Sequence, residues 1–159
     1  MASTHRVAEV CALPRSRKPP QPPRTRVLIV DDIADNRRLL TLLCDQFGFA
    51  SDSVEGGREA VEAARTGGYD LVLMDIFMPK MDGMEATRAI RALPGRASST
   101  PIIAVTTAAE PGERLRYLAC GMTDVVAKPV SPARLMEAAA SALAAAEDSV
   151  RPQRRRRRA

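Results

Sequence analysis

Three carboxylates, a hydroxyl and an amine stand out in this chain, each beside a short apolar run. VLIV at 27–30 leads into Asp31 and Asp32, LVLM at 71–74 into Asp75, and IIAV at 102–105 into Thr106; DVVA at 124–127 precedes Lys128 and Pro129. A charge at the tip of a hydrophobic segment is costly unless something compensates it. Three neighbouring carboxylates also repel, raising one another's pKa. A hard divalent cation removes that conflict, because oxygen ligands at an open site, completed by water, suit Mg²⁺. A carboxylate beside such a metal can attack a phosphoryl group and become an acyl phosphate. A lysine and a hydroxyl suit the phosphoryl oxygens. These residue types therefore suggest metal-assisted phosphoryl transfer to Asp75, with Asp31 and Asp32 at the metal and Thr106 and Lys128 at the transferred group. Singly, each has a plainer reading: Asp-Asp as a turn and helix cap, Thr106 as a strand residue, Lys-Pro as a loop. Their joint placement makes coincidence a poor explanation.

Such chemistry needs all five side chains in one place, and the intervening sequence supplies the means. Short β-rich runs at 27–30, 50–54, 71–74, 102–106 and 124–127 are each followed by apolar residues at helical spacing. Leu39, Leu40, Leu43 and Phe47 are expected on one face of the first helix, and Leu115, Leu118 and Ala119 on one face of the fourth. Gly121 reads as the fourth helix's C-terminal cap, and Ser131-Pro132 as the start of the fifth. Alternating strands and helices imply a parallel sheet covered on both faces. The expected fold is α/β, a (βα)5 doubly wound parallel five-stranded sheet. In such sheets the working crevice lies beyond the carboxyl ends of the strands, which is where all five residues fall.

Composition bounds the rest. The 159 residues are 45% hydrophobic but only 3% aromatic with no Trp, so an aliphatic core is expected in one domain. No window approaches the ~20 apolar residues of a membrane span, and the N-terminus lacks a signal-peptide core. A cytoplasmic protein with no membrane contact is expected. Cysteines at 11, 44 and 120 have no CxxC spacing, against a disulfide framework or zinc site; His5 is given no role. The net charge of +5 conceals three regions. Residues 1–26 hold six Lys/Arg and one Glu, residues 151–159 six Arg and no acid, and the stretch between 12 basic and 18 acidic residues. Residues 14–24, PRSRKPPQPPR, and the run RRRRR at 154–158 are too polar to bury a core. The expected organisation is a disordered basic leader over 1–25, a folded domain over 26–148, and a disordered Arg-rich tail over 149–159.

The stretches VLIVDD, LVLMDIFMPKMDGMEATRAIR, PIIAVTT and GMTDVVAKPVSPARL resemble the receiver domain of two-component response regulators, over roughly residues 26–146. The resemblance implies a flavodoxin-like fold with strand order 2-1-3-4-5 and Mg²⁺ as cofactor. It makes Asp75 the phosphoacceptor. Asp31, Asp32, Asp75 and the backbone carbonyl of Phe77 become the metal's ligands, with Asp32 binding directly and Asp31 acting largely through water. Thr106 matches the switch hydroxyl, Lys128 the phosphoryl-contacting lysine, and the peptide before Pro129 is expected to be cis. The residues two after the phosphoacceptor and two after the switch Thr, here Phe77 and Ala108, are expected to govern dephosphorylation. Neither offers a hydrogen bond to water, so a long-lived phosphorylated state is expected. Val125 departs from the family, which usually places an aromatic switch residue there; Ile33 departs from the Asn common in hybrid-kinase receivers.

The resemblance implies a signal-transduction phosphoprotein that catalyses only its own phosphorylation and dephosphorylation. Its donor would be a histidine kinase or a histidine phosphotransfer protein. Asn36-Arg37-Arg38-Leu39-Leu40 and the MPKMDG turn lean towards phosphorelay receivers of hybrid kinases. With only VRPQRRRRRA after Ser149, a single-domain regulator acting by protein contact or relay is expected. A dehalogenase-type phosphatase would need an acid two residues after a first-strand nucleophile, where Ile33 and Ala34 stand instead. The remaining alternative is a binding module whose Arg-rich tails hold nucleic acid or an acidic partner. Five arginines neutralise about five phosphates, but no stacking aromatics or recognition helix accompany them.

Overall fold

The computed structural model describes residues 24–156. Five strands, β1 (Arg26–Val30), β2 (Ala50–Val54), β3 (Leu71–Asp75), β4 (Ile102–Thr106) and β5 (Asp124–Ala127), form one parallel sheet in the order β2-β1-β3-β4-β5. Helices α1 (Ala34–Gln46), α2 (Gly57–Gly67), α3 (Gly83–Arg91), α4 (Pro111–Ala119) and α5 (Pro132–Arg156) connect and cover it. This is the α/β flavodoxin-like architecture and strand order expected from the sequence.

The four-residue apolar runs become strands because both sheet faces are covered, so successive side chains find a core on alternate sides. Ile29, Leu73 and Ile103 point to one face and pack with Leu40 and Leu43 of α1 and Leu135 and Ala138 of α5. Leu28, Val72 and Ile102 point to the other and pack with Ala60 of α2, Ala86 and Ile90 of α3 and Tyr117 of α4. The edge strand β2 carries Ser51, Asp52 and Ser53 and stays partly exposed.

Two helix faces differ from the expectation. In α1 the inward stripe is Leu40, Leu43 and Cys44, while Leu39 turns outward, half exposed. In α4, Leu115 is 68% exposed and Tyr117 is the residue driven inward. A ring buries more apolar surface than a Leu and takes the single inward position that this short helix offers. Gly121 adopts φ +107 just past α4 and donates its N–H to Leu118, as its capping place requires. Ser131 accepts the Leu135 N–H through its carbonyl at the head of α5.

Helix α5 continues to Arg156, past the domain boundary read at 148. The leader, apart from Arg24 and Thr25, and the last three tail residues lie outside the described residues, as do His5 and Cys11. Cys44 and Cys120 are free thiols, and burial pushes Cys44 up to about 11. Among the described residues no helix is long and apolar enough to cross a membrane.

Candidate functional site

Sheet register brings the chemistry together. Val30 pairs with Met74, so Asp31 and Asp75 follow side by side where the strand order reverses. Asp75 pairs with Val105, setting Thr106 one step further on the next strand. Thr106 pairs with Ala127, setting Lys128 one step beyond that. Each residue thus continues a strand rather than sitting on a long loop.

Oxygen atoms of Asp31, Asp32 and Asp75 lie within 4.8 Å of one another, with Asp31 and Asp75 buried and Asp32 exposed. A group of carboxylates open to solvent on one side has the ligand chemistry of a hard divalent cation. Lys128 reaches into the group: its Nζ lies 2.8 Å from Asp31 Oδ2 and 3.3 Å from Asp75 Oδ1. Burial raises the Asp75 pKa; the Lys128 charge pulls it down, the Asp31 charge pushes it up, and the balance stays above the usual carboxylate value. For Lys128 burial works against the charge, but the hydrogen bond to Asp31 and the fields of Asp75 and Asp31 prevail, raising its pKa. The ammonium is therefore firmly held and charged.

Asp31 is the most heavily engaged of the three acids. Besides Lys128 it accepts the Ile33 N–H at 2.9 Å, and Asn36 Nδ2 lies 3.1 Å from each of its oxygens. Arg37 donates to the Asp31 carbonyl at 2.8 Å and pairs with Glu55 at 2.9 Å. Asn36 and Arg37 are positioning groups to which the sequence assigns no place at the site. Their signal was their position in the first turn of the helix directly after Asp31-Asp32, which points them back at the strand end. A cavity of about 200 Å³ opens beside Lys128, lined also by Asn36, Leu39, Val105, Pro129 and Val130.

Asp75 is seated from the other side by α3. Asp82 and Glu85 close a reciprocal capping box at its start, and the Gly83 N–H donates to the Ile76 carbonyl at 2.9 Å. A Cβ on Gly83 would collide with the Asp75 carbonyl oxygen, so only glycine lets the helix approach this closely.

Thr106 is fully buried, its Oγ1 accepting the Ala108 N–H at 3.2 Å. The Lys128–Pro129 peptide is cis. Phe77 directs its ring into solvent, 58% exposed, and Ala108 is half-buried. Val125 packs in the core cluster that includes Tyr117.

Residues 27–140 match the family model of the response regulator receiver domain. The chain is 44% identical over 114 residues to the sensor protein GacS of Pseudomonas syringae pv. syringae, covering 70% of this chain and 13% of that protein. It is 36% identical over 110 residues to two-component response regulator 24 of Arabidopsis thaliana, covering 69% of this chain and 77% of that protein. Against the transcriptional regulatory protein ResD of Bacillus subtilis the match covers 43% of the relative, so the chain spans well under two thirds of several proteins it resembles. Among solved structures, the receiver domain of a sensor histidine kinase from Pseudomonas aeruginosa PAO1, with a magnesium ion in its active site cleft, superposes with a TM-score of 0.71. That pair is 34% identical, covering 77% of this chain and 99% of the other. With its strand order, the cluster at its strand ends and these matches, the chain belongs to the response regulator receiver domain family of two-component signal transduction.

Proposed function

We propose that Asp75 accepts a phosphoryl group from a phosphohistidine on a histidine kinase or histidine phosphotransfer protein. The protein then acts through protein contacts as a cytoplasmic signalling switch or phosphorelay intermediate. The observation that carries this reading is the convergence of Asp31, Asp32, Asp75, Thr106 and Lys128 at one end of the sheet. In the transfer, a bond forms between an Asp75 carboxylate oxygen and phosphorus as the bond from phosphorus to the donor nitrogen breaks. The electron pair leaves with the imidazole.

Asp31, Asp32 and Asp75, with the backbone carbonyl of Phe77, would hold Mg²⁺, and three oxygens within 4.8 Å fit such an ion. When bound, the metal neutralises charge on the phosphoryl oxygens and on the acids around them. Lys128 supplies a positioned ammonium to one phosphoryl oxygen, and Thr106 a hydroxyl proton to another. Ile33, exposed beside Asp31, and Leu39 at the cavity next to Lys128 offer apolar contact to the donor protein. Phe77 and Ala108 present no polar group to orient a hydrolytic water, so the phosphorylated state decays slowly.

Phosphorylation of the Asp75→Asn variant tests the reading. With acetyl phosphate or a donor kinase and Mg²⁺, the wild type should gain a base-labile phosphoryl group that hydroxylamine removes, and the variant none while keeping its fold. Wild-type yield of phosphoprotein from the variant would remove Asp75 from its role.

A further inference from the structure

Away from the crevice, the molecule's charge has a direction. Helix α5 starts beside the site, just after Lys128 and Val130, and runs back along one face of the sheet. Its last residues in that core are Ala142 and Leu143. Residues 132–143 span about 18 Å of helix, which matches the ~17 Å of a five-residue strand. By Leu143, α5 has reached the amino ends of the strands. Residues 144–156 continue as helix for about another 20 Å, with 144, 145 and 147–149 exposed. The helix thus carries its arginine run out past that end of the sheet.

The other basic segment joins the fold at the same end. Arg26 opens β1; its N–H donates to Asp70 at 2.8 Å and its guanidinium pairs with Asp52 at 2.9 Å. Arg96 pairs with the same Asp70. The acids nearest this exit, Asp52 and Asp70, are therefore already matched within the domain. Residues 1–24 hold five Lys/Arg and one Glu, and residues 151–159 six Arg. Glu147 and Asp148 on the projecting helix offset only part of that charge. Ten of these eleven cations are arginine, whose planar guanidinium takes phosphate bidentately.

We propose that the pole opposite Asp75 is a two-armed nucleic-acid site, the leader and the end of α5 lying along the phosphates of one duplex. With both arms rooted at one pole, the second binds at high effective concentration once the first is engaged. The pair then holds far more tightly than either arm alone. A duplex is favoured over a single strand or a membrane by what the arms lack. Residues 14–26 and 151–159 contain no aromatic ring on which an unpaired base could stack and no large apolar side chain to enter lipid. Binding is by charge, without sequence preference. The acidic crevice of Asp31, Asp32 and Asp75 lies at the other pole and repels the same polymer, so it stays open. The proposal does not depend on the reading of Asp75 as phosphoacceptor.

The test uses the full chain and a fluorescent DNA duplex of arbitrary sequence, with anisotropy followed across a salt series. One variant neutralises the leader (R15Q, R17Q, K18Q and R24Q), a second the tail (R154Q, R155Q, R156Q, R157Q and R158Q), and a third combines them. Either arm variant should bind at least about 10-fold more weakly than wild type. Its plot of log affinity against log salt should be shallower by about four. The combined variant should not bind, and a single strand of equal length or a phosphatidylserine vesicle of equal charge should bind the wild type less tightly than the duplex. An arm variant that keeps wild-type affinity shows one arm acting alone and overturns the two-armed site. A combined variant that still binds places the footprint on the domain and overturns it as well. Tighter binding to the vesicle or the single strand overturns the choice of partner.

Discussion

Asp31 and Asp32 are adjacent and chemically identical, yet their surroundings divide them. Asp31 is buried and already shared among Lys128, Asn36 and the Ile33 N–H. Asp32 is exposed beside the same group and is free to turn its oxygens to an ion. Losing a direct ligand costs more affinity than losing an acid that acts through other groups. Asp31→Ala should therefore weaken Mg²⁺ binding about 10- to 100-fold, and Asp32→Ala by more, as read by metal titration. The reverse order would show that the buried acid is the direct ligand. The identity of these acids was legible in the sequence because each ends an apolar run. Their unequal engagement was not, because it is set by Asn36 and Lys128, one on the next helix and the other on the far side of the chain.

At the scale of elements, the approach of α3 to β3 is the contact that seats the strand end carrying Asp75. Gly83 has no room for a Cβ against the Asp75 carbonyl, and its N–H is committed to Ile76. Gly83→Ala must push the helix or the strand end away, an overpacking that costs about 1–3 kcal/mol. Denaturant unfolding should show that loss, and the rate of charging by acetyl phosphate should fall because Asp75 shifts with its backbone. A Gly83→Ala variant of unchanged midpoint and rate would mean the turn absorbs the methyl freely. Strand positions were readable from the sequence, since β2, β4 and β5 fall where the apolar and β-branched runs lie and β1 and β3 extend by one residue. The inward face of α4 was not. Spacing favours Leu115, but the helix meets the sheet on one narrow line, and Tyr117 occupies it. The end of α5 was equally hidden, because an arginine run reads as solvated chain whether or not its backbone is helical.

Across the whole molecule, charge and architecture are separated. Residues 27–150 carry 12 basic and 18 acidic side chains, whereas residues 151–159 carry six arginines. Affinity for an anionic polymer should therefore belong to the terminus. Removing residues 151–159 should lower binding to nucleic acid and flatten its dependence on log salt by about five units. A truncated chain with the original affinity and slope would place the footprint on the acidic domain. The same architecture has a consequence for the birth of the protein. Asp31 and Lys128 meet at 2.8 Å across 97 residues of chain, a closure whose entropic cost is about 4 kcal/mol for a flexible loop. Docking of β5 beside β4 helps offset it, so a fragment ending before Lys128 lacks the amine of the site. A chain clipped before Lys128 carries the three acids without the ammonium that pairs with Asp31 and Asp75. The assembled constellation thus reports that the sheet has closed through its fifth strand.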